Sequence, residues 1–261
     1  MDLQLDGNAA LVTASSSGLG KASAKALARE GADVVINGRD EKRLAEARDE
    51  VAAVAAGEVV AQPADLTDAA AVEALVERTV EAFGGLDHLV TSAGGPPSGA
   101  FLDTDDDDWY AAFDLLVMSV VRLARAAEPH LREGEGTIVN ITSRSVKEAL
   151  DSLVLSNSVR MSVIGLEKTL SQEFAPEIRA NAVLPGPHET ARIRELVEAA
   201  VERGEVDSYE AGLDDWANNP LDRIGDPMEL GDVVAFLSSP ASGFVNGAAI
   251  PVDGGATGSN L

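Results

Sequence analysis

Asn8–Leu27 reads NAALVTASSSGLGKASAKAL, and the reading of this stretch decides the fold. The apolar run Ala9–Val12 suits a buried strand. Small residues follow from Thr13 to Ser17, then Gly18, Leu19 and Gly20, and an alanine-rich helix leaves the turn. A helix start presents unpaired backbone N–H groups and the positive end of its dipole. Residues without bulk let a phosphate approach that backbone. Thr13, Ser15, Ser17, Gly18, Leu19 and Gly20 are therefore the first candidate binding residues. Two glycines alone also suit an ordinary strand-to-helix turn, so the rest of the chain has to decide.

The rest repeats the same rhythm. Val34–Ile36 is a short β-branched run, and Asp40 stands where it would cap a helix running to about Ala56. Glu58–Ala61 gives a third strand. Thr67 or Asp68 caps a helix to Phe83, and Leu86–Thr91 gives a fourth strand, running into a small-residue turn at Ser92, Ala93 and Gly94. Asp105–Leu131 reads as one long apolar helix, Thr137–Thr142 as a fifth strand with Ser143 at its end, and Ser152–Phe174 as a further helix. Ile178–Leu184 is a sixth strand ending at Pro185-Gly186-Pro187, and Met228–Ser238 and Ala248–Val252 close the series. Strands alternating with helices imply a parallel sheet covered on both faces, with ligands beyond the carboxyl ends of the strands. No linker or composition break divides residues 1–261, so a single domain is expected. The polar, helical stretch Glu189–Asn219 interrupts the alternation and is expected to cover a substrate, or else to be a surface excursion.

Composition narrows the function classes. The formal net charge is −24, from 44 acidic residues against 20 Lys and Arg, of which only five are lysine. An acidic, lysine-poor surface suits work in high salt, where the Debye length falls to about 3 Å at 1 M and self-repulsion is screened. Nucleic acid and anionic membranes are poor partners for it. No apolar run approaches the ~20 residues of a membrane span, and no leader-like segment opens the chain, so a soluble cytoplasmic protein is expected. Cysteine is absent, and no metal site is expected.

The second strand ends in Asn37, Gly38 and Arg39, where dinucleotide-binding sheets often place an acid for the adenosine 2′-hydroxyl. A guanidinium there suits a 2′-phosphate, which favours NADP(H) over NAD(H).

Taken together, these motifs resemble the short-chain dehydrogenase/reductase family over nearly the whole chain. Thr13–Gly20 resembles its glycine-rich turn, with Ala14 in place of the first glycine. Asp65-Leu66 resembles its adenine-contacting pair, and Thr91-Ser92-Ala93-Gly94 its Asn-Asn-Ala-Gly turn. Pro185, Gly186 and Thr190 resemble the segment beside the nicotinamide, and Val252-Asp253-Gly254-Gly255 its carboxyl end. The resemblance implies a three-layer, doubly wound Rossmann fold with a mostly parallel seven-stranded sheet. It further implies NAD(P)(H), hydride transfer to or from a small carbonyl or alcohol, and a homodimer or homotetramer.

The family's chemistry uses serine, tyrosine and lysine, often with an asparagine. Ser143 fits the serine. Ser156 stands at the tyrosine position, Arg160 at the lysine position and Leu116 at the asparagine position. A serine hydroxyl is a far weaker acid than a phenol, and an arginine does not relay protons near neutral pH. Two readings follow. In one, Ser143, Ser156 and Arg160 form an altered active site in which a water, or His188, carries the proton. Lys147, Glu148 and Asp151 are lesser candidates for that role. In the other, the chain keeps the nucleotide and has lost the chemistry. Moving the protein from roughly 1 M salt to low salt is expected to loosen or unfold it, as followed by circular dichroism; indifference to salt removes the salt-adapted reading.

Overall fold

The computed structural model describes residues 2–259. Strands β1 (Ala9–Val12), β2 (Asp33–Gly38), β3 (Val59–Pro63) and β4 (His88–Thr91) alternate with helices α1 (Gly18–Arg29), α2 (Glu41–Ala52) and α3 (Ala69–Phe83). The second half carries α4 (Asp106–Phe113), α5 (Ser119–Leu131), β5 (Thr137–Ile141), α6 (Val154–Glu173) and β6 (Arg179–Pro185). Then follow α7 (Ala191–Glu202), α8 (Tyr209–Ala217), α9 (Pro227–Ser238) and β7 (Ala249–Val252). The seven strands form one sheet in the order β3-β2-β1-β4-β5-β6-β7. Every pairing is parallel, so the sheet is wholly rather than mostly parallel. This is the three-layer, doubly wound architecture.

The inner strands are buried on both faces, as near-continuous Val, Leu, Ile and Ala runs require. Side chains alternate across the sheet, so Ala10, Val12, Val34 and Ile36 pack under α1 and α9, while Leu11, Val35 and Leu89 pack under α3 and α5. Helices α2, α3 and α9 are capped by Asp40, Asp68 and Asp226, whose carboxylates accept from first-turn amides. The order reverses between β1 and β4, because β2 and β3 lie to one side of β1 and the later strands to the other. A crevice opens above that switch point.

The structure refines two sequence expectations. Asp105–Leu131 is continuously helical from Asp106, as read, with a π-helical turn, Asp114–Met118, between α4 and α5. Glu189–Asn219 is helical, as read, in two pieces, α7 and α8, separated by residues 203–208.

Glu167 of α6 is 1 % exposed, and its Oε1 has no hydrogen-bond partner among the described residues. Burial pushes its carboxyl up to about 7, with Lys168 opposing. The native state thus keeps a proton that the unfolded chain loses near the ordinary carboxylate pKa, and the residue's contribution to stability falls as pH rises through that window to about 7. Glu167→Gln is therefore expected to unfold later than the parent at about pH 8, by on the order of 2 kcal/mol, with the two converging near pH 4 in urea titrations.

Candidate active site

The turn that leaves β1 is fixed from two sides. Thr13 Oγ1 donates to Ser92 O at 2.7 Å and accepts from Ser92 N at 2.9 Å, joining it to the turn after β4. On the other side, Asn37 Oδ1 accepts from Ala14 N, Asn37 O accepts from Ser15 N, and Asn37 N donates to Ser15 Oγ. The Asn37 amide also donates to Gln62 O and Ala64 O, so one fully buried side chain ties together β1, β2 and β3. These bonds hold Ala14 at φ +46°, the left-handed region that costs a non-glycine residue roughly 1–2 kcal/mol. Thr13 and Ser15 are accordingly fully buried in the wall and do not line the crevice.

Above the turn lies a cleft of about 500 Å³. Ser17, Gly18, Leu19 and Gly20 line it, with Ser16, which the sequence reading passed over. A methyl group on Gly20 would stand 2.6 Å from Ala14 O, so only glycine allows the helix to start this close to the turn. Ser17, the residue before α1, makes no side-chain cap bond. The start of α1 therefore faces the cleft without the carboxylate that its counterparts α2, α3 and α9 possess. An anion fits there, which is the test a dinucleotide pyrophosphate has to pass.

Arg39 lines the cleft at the end of β2, and Arg43 in α2 joins it. Asp40, the nearby acid, is turned away, since its Oδ1 accepts from Arg43 N at 2.8 Å as the α2 cap. At Gly38 a Cβ would meet Ser16 at 2.9 Å, so no carboxylate side chain fits there without moving the turn. Asp65 and Leu66 line the same end. The Asp65 carboxyl is held below its usual range by hydrogen bonds from Thr67, with a smaller contribution from the Arg39 charge.

Ser92, Ala93, Gly94, Pro185, Gly186 and Thr190 also line the cleft, as expected from the sequence. Gly95 and Pro96 continue the wall after Gly94. Ala191, Arg192, Ile193, Glu195 and Leu196 of α7 and Trp216 of α8 also line the cleft.

Ser143, Ser156 and Arg160 converge at the far end. The Ser156 hydroxyl is not paired with Ser143. It lies 3.1 Å from Ser145 Oγ, both being buried, while Ser143 Oγ accepts from Ser145 N at 3.1 Å. Ser145 is thus a member of the cluster that the sequence reading missed; its only signal was a second serine two residues after Ser143. Leu115 rather than Leu116 lines the cleft, both lying in the π-helical turn. Arg160 donates to Gly94 O at 3.1 Å, and burial, then the charge of Arg192, bring its pKa down to about 10. It remains a cation at neutral pH.

The other proton carriers considered from sequence fare differently. Lys147, Glu148 and Asp151 do not line the cleft. His188 lines it but is no surface histidine: it is 4 % exposed, its Nδ1 is 3.1 Å from Gly186 O, and burial holds its pKa below the ordinary value. At neutral pH it is an uncharged ring, unsuited to give a proton. Neither tyrosine, Tyr110 nor Tyr209, lines the cleft. No group of acidic and imidazole side chains suited to a metal is found among the described residues.

Comparison with known proteins agrees with this geometry. Residues 13–257 match the family model described as enoyl-(acyl carrier protein) reductase. An uncharacterized oxidoreductase of Methylorubrum extorquens is 36 % identical over 97 % of this chain and 98 % of its own. L-sorbose reductase of Gluconobacter frateurii, solved with NADPH and L-sorbose, superposes with a TM-score of 0.92 at 31 % identity, covering 99 % of this chain and all of that one. An NADPH-bound short chain oxidoreductase of Pseudomonas aeruginosa, described as containing an atypical catalytic center, superposes with a TM-score of 0.88 at 30 % identity, covering 97 % and 98 % of the two chains. The chain belongs to the short-chain dehydrogenase/reductase family.

Proposed function

We propose that this short-chain dehydrogenase/reductase is an NADP(H)-dependent oxidoreductase that interconverts a small carbonyl compound and its alcohol at an altered active site. The observation that carries the reading is the uncapped start of α1 on the wall of a cleft that Ser143, Ser156 and Arg160 also line. First-turn amides of α1 would hold the pyrophosphate, and Arg39 with Arg43 the 2′-phosphate. The nicotinamide, when bound, supplies or accepts the hydride. The Ser143 hydroxyl donates to the substrate oxygen, and the Arg160 cation favours negative charge on it. The Ser145–Ser156 pair holds a water that exchanges the proton. Without a positioned phenol the reaction forgoes a general acid worth about 10²–10⁴-fold, so turnover is slow. A relative that carries NADPH beside an atypical catalytic center supports cofactor binding outlasting the usual residues.

A second reading, a nucleotide-binding protein without catalysis, is favoured by one feature: the Ser145–Ser156 contact satisfies the hydroxyl that would have to act. The working form is proposed to be a homo-oligomer in a salt-rich cytoplasm. Tyr110, Phe113 and Met161, exposed on α4 and α6, support the oligomer, and the charge of −24 supports the salt. The α7–α8 segment is proposed to cover the substrate.

Fluorescence titration is expected to show tighter binding of NADPH than of NADH. Arg39→Ala combined with Arg43→Ala should erase a preference of about tenfold or more. Equal affinities in the parent protein defeat the Arg39 assignment. Ser156→Tyr combined with Arg160→Lys is expected to raise ketone turnover toward the ~10²–10⁴-fold worth of a general acid; no gain favours the second reading.

A further inference from the structure

We infer that the substrate is an uncharged, largely apolar ketone or the corresponding alcohol, and that Trp216 of α8 selects for it. This deepens the proposed oxidoreductase function and rests on it.

Apolar side chains surround the serine of α6. Leu153 stands immediately before that helix, three residues ahead of Ser156, and lines the cleft. Leu150 lines it too and is tied to the same helix: its N–H donates to Asn157 Oδ1 at 3.1 Å, and its O accepts from Asn157 Nδ2 at 2.8 Å. Leu115, also in the lining, packs with Leu155 and Val159 on either side of Ser156 in the sequence. To these α7 adds Ile193 and Leu196, three residues apart on one helical face, and α8 adds Trp216.

The α7–α8 segment is docked on the loop that carries those leucines. Ser152 Oγ donates to Glu205 Oε1 at 3.0 Å, in the connection between the two helices. Arg203 donates to Ser98 Oγ at 3.2 Å, and the next residue, Gly99, donates its N–H to Ser152 O at 2.7 Å. Three stretches of chain therefore meet beside residues 150–153, and their contacts fix where the apolar lining stands relative to Ser156.

The charged groups of the lining are engaged by the protein itself. Arg144, Arg160 and Arg192 each give an N–H to a backbone carbonyl, those of Ala256, Gly94 and Pro96. Of the two carboxylates in the lining, Asp65 accepts from Thr67, and Glu195, largely exposed, lies 3.6 Å from Arg192. Near Ser156 a substrate thus finds hydroxyls for one oxygen and hydrocarbon for the rest of its body. A polyhydroxylated ketone would bring hydroxyls against leucine side chains, and a buried polar group without a partner is destabilising. An apolar body gains from the same surfaces, and an indole offers it a large flat contact area. None of these apolar residues lies on the start of α1, the end of β2 or the turns after β4 and β6, where the dinucleotide is proposed to bind.

Calorimetry tests this without turnover. Acetophenone, cyclohexanone and the polyhydroxylated ketone L-sorbose are titrated into the complex with NADP⁺, which has no hydride to give a ketone. Both apolar ketones are expected to bind at least about tenfold more tightly than L-sorbose. Trp216→Ala should weaken acetophenone by about tenfold while changing NADP⁺ affinity less than about threefold, and Trp216→Phe should keep most of the acetophenone affinity. Melting curves establish that the variants fold, and Trp216→Gln carries the comparison if the Ala variant does not. L-sorbose binding as tightly as the apolar ketones, or acetophenone binding indifferent to loss of the indole, overturns the inference and leaves the oxidoreductase reading standing. A folded Ala or Gln variant that loses NADP⁺ about tenfold assigns the indole to the cofactor and also overturns it. Failure of the parent protein to bind NADP⁺ removes both.

Discussion

Everything at the carboxyl edge of the sheet depends on how the chain leaves β1. Within five residues, 13–17, it must stop being a strand, open a left-handed corner at Ala14 and lead into a helix whose start carries no side-chain cap. A backbone corner of this kind is unfavourable for alanine on its own. It persists because neighbours over-determine it. Thr13 clasps the turn after β4 through both its donor and its acceptor, while Asn37 accepts from Ala14 and is itself held by β3. The hydrogen bonds that secure the corner run between strands on either side of the switch point. The same contacts that set the helix start also set the width of the crevice.

The charge distribution has a matching logic. The protein as a whole is strongly acidic, yet Arg39, Arg43, Arg144, Arg160 and Arg192 line its cleft, against the acids Asp65 and Glu195. Low-dielectric walls concentrate that positive field inside the crevice, while salt screens the acidic exterior. An anionic ligand therefore meets repulsion on the surface that falls off within a Debye length, then attraction that is screened far less. Arg39 stands close enough to Asp65 for its charge to lower that carboxyl, and Arg160 lies one turn after Ser156 on α6.

Much of this was legible in the chain. Buried strands announce themselves as short Val, Ile and Ala runs, and the small-residue turns sit where parallel strands end, so the sheet follows from spacing, and the cleft lining from those turns together with the resemblance to the family. What was not legible depends on three-dimensional company. Asn37 reads as a replacement for a ribose-binding acid, yet its amide is spent on backbone groups that only the sheet order brings together. Ser145 pairs with Ser156 across eleven residues, a contact set by the short turn at Arg144–Val146. Leu115, not Leu116, lines the cleft, within a π-helical turn that leaves no mark in composition. His188 follows a proline–glycine turn and looks exposed in sequence, but its isolated bridge to Gly225 buries it. Arg192 lies in a segment whose helical pattern says nothing about which way its first turn faces.

These misses share a cause that bears on the chemistry. The start of α1 is held by contacts among β1, β2 and β4, whereas Ser143, Ser156 and Arg160 come from the end of β5 and from α6. No hydrogen bond of the β1 corner described above passes through the serine cluster. Losing a phenol removes a proton donor whose pKa near ~10 a neighbouring cation can lower. Arginine at position 160 keeps that cation but cannot itself give up the proton near neutral pH. His188 is held neutral, with Nδ1 facing a carbonyl, which leaves its Nε2 an acceptor. The groups remaining at this end of the cleft can thus donate hydrogen bonds and stabilise negative charge, but none is a ready acid.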